Sequence, residues 1–157
     1  MRAVQSDRDR LRVLVIVGDA EYTRAVASSL TGQGRRAWDV ETVSDLASGR
    51  ERLARGDVDA VLLDFDLTGE AGLESLPSLC AAAGHAAVVV LVGPADDPVG
   101  LAALEAGAQE YLVEGPLDAA LVSRTLLYAV ERKRGADTLM RLEQAVGTMQ
   151  LLSLIHI

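Results

Sequence analysis

Lysine is almost absent from this chain of 157 residues: Lys133 stands alone against fourteen arginines. Any mechanism that needs a lysine in its site is therefore in difficulty, because Lys133 falls outside the expected core. Cysteine is as scarce. Cys80 is the only one, which excludes an intramolecular disulfide and a cysteine-based metal cluster. Its place beside Leu79 on an expected helix marks it as a small core residue. The aromatic residues are Phe65, Trp38 and three tyrosines, and the formal net charge is −8. An acidic surface without a basic stripe argues against nucleic-acid binding. No apolar stretch approaches the roughly 20 residues that span a bilayer. The longest runs from Ala86 to Val92. The first ten residues are charged and polar, unlike a signal peptide. The expected setting is cytoplasmic, with no membrane partner.

What is present is a sufficient stock of apolar residues, 50% of the chain, for one domain with a core and an appendage. The pattern centres on Val61-Leu62-Leu63-Asp64-Phe65-Asp66-Leu67-Thr68-Gly69. An apolar run drives into one carboxylate, and a second follows two residues later. Runs that are apolar on both faces belong to interior strands of a parallel sheet covered by helices. In such sheets the functional crevice lies beyond the carboxyl ends of the strands, where Asp64 would sit.

The other elements alternate around that run. Residues 1–10 form a polar lead-in, and Leu11 to Val17 reads as the first strand. A helix follows with Tyr22, Val26 and Leu30 on one face, closed by Gly32 and Gly34. Ala37 to Val43 alternates, an edge-strand pattern. Ser44 can cap a helix to about Arg55, with Leu46, Ala47, Leu53 and Ala54 inward. After the strand from Asp59 to Asp64 comes a helix bearing Leu73, Leu76, Leu79 and Cys80, whose start Pro77 is expected to delay or kink. Ala86 to Val92 is the fourth strand, and Asp97-Pro98 opens a helix that carries Leu101 and Leu104 and closes at Gly107. Glu110 to Val113 is a short fifth strand. A long helix begins near Asp118, with Leu121, Val122, Leu126, Ala129 and Val130 inward. Five alternations of strand and helix make the class α/β, a doubly wound, flavodoxin-like parallel sheet expected in the order 2-1-3-4-5.

Beyond Arg134 the pattern changes. Leu139, Leu142, Val146 and Met149 are spaced 3, 4 and 3, the seam of a coiled coil, and an exposed amphipathic tail is the plainer alternative. Residues 135–157 are thus expected to form a helical linker that favours a parallel homodimer. Leu151 to Ile157 leave the seam and look like translated sequencing-adapter read-through, so the natural protein is expected to continue beyond them.

The alternation brings Gly18-Asp19, Asp64, Val92 and Glu114 to one lip of the sheet. Asp19 and Asp64 suit a hard cation such as Mg²⁺, which takes carboxylate and carbonyl oxygens. A carboxylate held beside Mg²⁺ can attack phosphorus and form an acyl phosphate. From Arg12 to about Arg134 the chain resembles the receiver domains of two-component response regulators. The resemblance rests on Val13-Leu14-Val15-Ile16-Val17 with Asp19, on Asp59-Ala60-Val61-Leu62-Leu63-Asp64, on Gly72-Leu73-Glu74 and on Ala106-Gly107-Ala108-Gln109-Glu110-Tyr111-Leu112-Val113. The ending, with Leu121, Arg124 and Tyr128-Ala129-Val130-Glu131-Arg132, is similar to receivers at the N-terminus of multidomain sensor kinases and diguanylate cyclases.

The resemblance implies a receiver over residues 11–134, a signalling domain and not an enzyme. It makes Asp64 the phosphoacceptor, Asp19 and the Asp66 carbonyl further Mg²⁺ ligands, and Tyr111 an aromatic switch residue. Its implied partner is a histidine kinase or phosphotransfer protein. Four positions depart from the family pattern, one of them Gly115 in place of the commoner proline, as in the subgroup just named. Gly18 replaces an acidic residue, Val92 replaces a Thr or Ser that hydrogen-bonds the phosphoryl group, and Glu114 replaces the site lysine. The expectation is therefore an impaired or pseudo-receiver that acts through protein interaction. An enzymatic alternative is a haloacid-dehalogenase-like phosphatase using Asp64 and Asp66, since Asp64-Phe65-Asp66-Leu67-Thr68 fits D-x-D-x-T. That family also needs a site lysine and normally carries the motif on its first strand. A dinucleotide or P-loop site has no support, because Gly18 stands alone after the first strand. His85 and His156 are read as solvated residues.

Overall fold

A computed structural model describes residues 10–16, 21–31, 38–64, 72–93, 97–115 and 118–155. Gly18, Asp19, Phe65 and Asp66, like nearly all of the expected lead-in, lie outside the described residues. The strands are β1 (Arg12–Ile16), β2 (Asp39–Val43), β3 (Ala60–Asp64), β4 (Ala87–Val92) and β5 (Glu110–Val113). The helices are α1 (Glu21–Thr31), α2 (Leu46–Ala54), α3 (Gly72–Ala83), α4 (Asp97–Glu105) and α5 (Ala119–Ile155). The strands form a single parallel sheet in the order β2-β1-β3-β4-β5, as the alternation predicts.

Side chains on a strand point alternately to its two faces, and here both faces are buried. Val13, Val15, Ala60, Leu62, Val89 and Leu91 face α1 and α5, where Val26, Leu30, Val122, Leu126 and Ala129 meet them. Leu14, Ile16, Val61, Leu63, Val88 and Val90 face α2, α3 and α4, which contribute Leu53, Leu76, Leu79 and Ala103. Strands β3 and β4 are buried along their whole length. Each fully buried leucine or valine contributes about 1.5–3 kcal/mol over leaving it exposed.

Polar contacts fasten the periphery. Trp38 is buried ahead of β2 and its indole N–H donates to Ser123 Oγ on α5 at 2.9 Å. Arg52 on α2 is buried too, its guanidinium donating to both carboxylate oxygens of Glu41 at 2.6 and 3.0 Å and to the Gly56 carbonyl at 2.7 Å. The Asp59 carboxylate accepts from the Arg12 backbone N–H at 2.8 Å and from Arg134 of α5 at 2.7 Å, joining three elements at the amino ends of the central strands.

Four local expectations need correction. Asp45, not Ser44, caps α2: its side chain accepts from the Ser48 N–H, because the helix starts one residue later than expected. On α2 Ala47 and Ala54 are exposed, while Gly49 and Arg52 take the inward face. A Cβ at Gly49 would come within 2.7 Å of Ile16 Cδ1. Pro77 lies inside α3, which already begins at Gly72. Leu121, expected inward, is 46% exposed, because the smaller Val122 occupies the face that meets the sheet.

Candidate functional site

Asp64 is the last residue of β3, pairs in register with Leu91, and is 1% exposed. A carboxylate so buried is costly unless compensated, and Asp64 does have an interaction partner. The central position of β3, hydrogen-bonded on both sides to β1 and β4, fixes its backbone.

Val92 ends the next strand, also 1% exposed, opposite Val113. Glu114 follows β5 directly, half-buried, and its backbone N–H donates to the Val92 carbonyl at 2.8 Å. That bond holds the Val92 and Glu114 main chains together at the carboxyl edge of the sheet. Neighbouring strands lie about 4.8 Å apart, so the axes of β3 and β5, with β4 between them, are about 10 Å apart. The structure therefore brings Asp64, Val92 and Glu114 to the shared edge, while Asp19 and Asp66 lie outside the described residues.

Tyr111 is half-buried on β5, opposite Val90, and packs with the α4 side of the core. Its ring lies on the backbone of Gly100 in α4. A Cβ added there would fall within 2.4–2.7 Å of Tyr111 Cδ2, Cε2 and Cγ. Gly100 is the residue that the sequence reading missed. Its signal was a glycine inside an expected helix, which costs about 1 kcal/mol relative to alanine and so calls for a packing reason.

The site holds no lysine among the described residues. Lys133 lies on α5 at the opposite, amino-terminal edge of the sheet, 3.8 Å from Asp137, whose other oxygen is 3.0 Å from His85 Nδ1. His85 is exposed, as expected, though not unpartnered. Among the described residues no group of three or more His, Cys, Asp or Glu could hold a metal, and no helix is long and apolar enough to cross a membrane. Cys80 is half-buried, and burial pushes its thiol pKa up, away from the reactive thiolate.

Comparison with known proteins supplies the context for this geometry. A family model described as the response regulator receiver domain matches residues 13–123. The transcriptional regulatory protein PrrA of Mycobacterium leprae is 30% identical over 141 residues, covering 89% of this chain and 58% of that protein. The chain thus spans little more than half the length of that relative. A response regulator receiver domain protein from Clostridium thermocellum superposes with a TM-score of 0.64 at 26% identity, over 79% of this chain and 97% of that one. A response regulator protein from Burkholderia pseudomallei, with a phosphorylated aspartic acid, calcium ion and citrate, gives a TM-score of 0.63 at 21% identity, over 83% and 74%.

Proposed function

We propose, for a chain that belongs to the response regulator receiver domain family, that it keeps the receiver fold and the phosphoacceptor position Asp64 but has lost most of the phosphoryl-driven switch. It acts in two-component signalling chiefly through protein interaction. Its partners would be a histidine kinase or phosphotransfer protein and, through α5, a second copy of itself.

The observation that supports this reading is the pairing of Glu114 with Val92 across the lip that ends in Asp64. A phosphoryl group on Asp64 would carry roughly −1.5 to −2 charges. A glutamate where the family has lysine turns an attraction into a repulsion, on the order of 4 kcal/mol per charge pair at 4 Å and an effective dielectric near 20. At about twice that distance it is about half. Val92 offers only methyl groups, and a missing hydrogen bond to a charged acceptor forfeits about 1.5–3 kcal/mol. Both defects act on the phosphorylated state and not on the fold.

Receiver domains generally bind Mg²⁺ at their acidic site. Asp64 is a suitable hard oxygen donor, and with Asp19 and the Asp66 carbonyl it would hold the ion, whose charge offsets that of the incoming phosphoryl group. Weak binding is expected, since Gly18 supplies no carboxylate. The phosphatase alternative gains nothing, with Lys133 on the far edge of the sheet.

The test is nuclear magnetic resonance of the full chain with Mg²⁺ and beryllofluoride, a phosphoryl mimic. The expected result is amide shifts confined to the neighbourhood of Asp64. Shifts that spread at stoichiometric mimic beyond that lip to Tyr111 and along α4 would show an intact switch and overturn the proposal.

A further inference from the structure

Helix α5 spans 37 residues, about 55 Å, and only its first part is needed to cover the sheet. Among the described residues Val130 is the last that it buries in the core. The side of the helix that meets the sheet nevertheless continues. Leu126, Val130, Lys133 and Asp137 are separated by four, three and four residues, so they share one face, with Arg134 beside them. That face turns from apolar to charged where the helix passes the amino-terminal edge of the sheet.

Two of these charges meet the receiver body. Arg134 Nη2 donates to Asp59 Oδ1 at 2.7 Å, and Asp137 Oδ2 lies 3.0 Å from His85 Nδ1. The Lys133 ammonium stands 3.8 Å from the other oxygen of Asp137. The partner of Arg134 is itself well anchored. Asp59 immediately precedes β3, where its N–H donates to the Arg12 carbonyl at 2.9 Å and its carbonyl accepts from the Ala87 N–H at 3.0 Å. Its second carboxylate oxygen accepts from the Arg12 N–H at 2.8 Å. His85 stands two residues ahead of β4, in the short turn that follows α3.

We propose that the Arg134–Asp59 and Asp137–His85 pairs form a clamp that makes α5 rigid with the receiver body through Asp137. The clamp then fixes the direction in which the helix leaves the domain. It lies at the edge of the sheet opposite to Asp64, so it sets the stance of the extension without any event at the phosphoacceptor position. Self-association does not enter it either.

Helix geometry gives the clamp a consequence for the surface. Leu139 and Leu142, both exposed, lie on the side of the helix opposite to Lys133 and Asp137. The clamp therefore turns that apolar face away from the receiver body. An exposed ion pair shifts an equilibrium only a few-fold. Two of them on one turn, holding the same helix to the same sheet, act on a single opening of the extension. Charge also makes the clamp releasable, since salt screens exposed pairs.

Hydrogen-exchange mass spectrometry of the full chain, dilute enough to be monomeric in sedimentation, tests this. The changes are made on the body side, so that the helix keeps its own sequence: Asp59→Asn, which retains an oxygen for the Arg12 N–H, combined with His85→Ala. Residues 134–141, whose amides bond to the carbonyls four residues earlier, should exchange about fivefold faster in the double variant. Residues 121–130 should be unchanged. In the unaltered chain, exchange over 134–141 should quicken between about 0.1 M and about 1 M salt, as the screening length falls from about 10 Å to about 3 Å. The double variant should lose that dependence. Unchanged exchange over 134–141 in the double variant would overturn the clamp, as would indifference of the unaltered chain to salt. Faster exchange spread through 121–130 would show that the two groups hold the fold and not the extension, and would equally overturn it.

Discussion

Tyr111 owes its place to a residue eleven positions earlier. The ring rests where a side chain at Gly100 would be, so Gly100→Ala must expel the ring or push α4 from the sheet. Overpacking of this kind costs about 1–3 kcal/mol. Chemical denaturation should show that loss, and near-ultraviolet circular dichroism should show Tyr111 leaving its asymmetric environment. An unchanged tyrosine signal would contradict the packing. The sequence revealed Asp64 because an apolar run ending in a carboxylate is a local pattern. It concealed Gly100, whose reason is a contact between separate elements. Leu121 was assigned inward for being apolar, although Val122 next to it fills the site against the sheet.

Among elements, burial separates two stretches of α5 that composition alone does not. Leu126 is fully buried between the helix and the sheet, whereas Leu139 is 58% exposed. Leu126→Ala should cost about 2–5 kcal/mol. Leu139→Ala should stay within about 0.5 kcal/mol at concentrations too low for self-association. A large loss from Leu139→Ala in dilute solution would mean that the extension packs within its own chain. Helix α2 depends on a charge instead. Arg52 is buried against Glu41, whose carboxyl pKa its hydrogen bonds hold below the usual carboxylate range. A depressed folded pKa adds stability above the unfolded value of about 4.3, and that stability is lost as pH falls through the lower folded value. Acid titration should thus destabilise the native chain more steeply than Glu41→Gln, which has already lost the titrating group. Equal slopes would contradict the pairing. Glu41 is partly exposed, so the effect is modest. This pair was illegible in advance, because arginine is read as a surface residue until a fold encloses it.

For the whole molecule, the doubly wound sheet was legible because two-sided burial gives β1, β3 and β4 unbroken apolar runs and the half-covered edge gives β2 an alternating one. The lip formed by Asp64, Val92 and Glu114 followed from strand ends alone. Helix boundaries were less legible, as Pro77 inside α3 illustrates. In the proposed function, what the lip does chemically rests on Glu114 and Val92. The most direct measurement is intact-mass spectrometry after treatment with acetyl phosphate and Mg²⁺. The unmodified chain should gain little or none of the mass of one phosphoryl group. Glu114→Lys with Val92→Thr should gain it, and Asp64→Asn in that background should lose it again. Rapid stoichiometric phosphorylation of the unmodified chain would contradict the proposed defect, and no gain in the double variant would show that Glu114 and Val92 are not its cause.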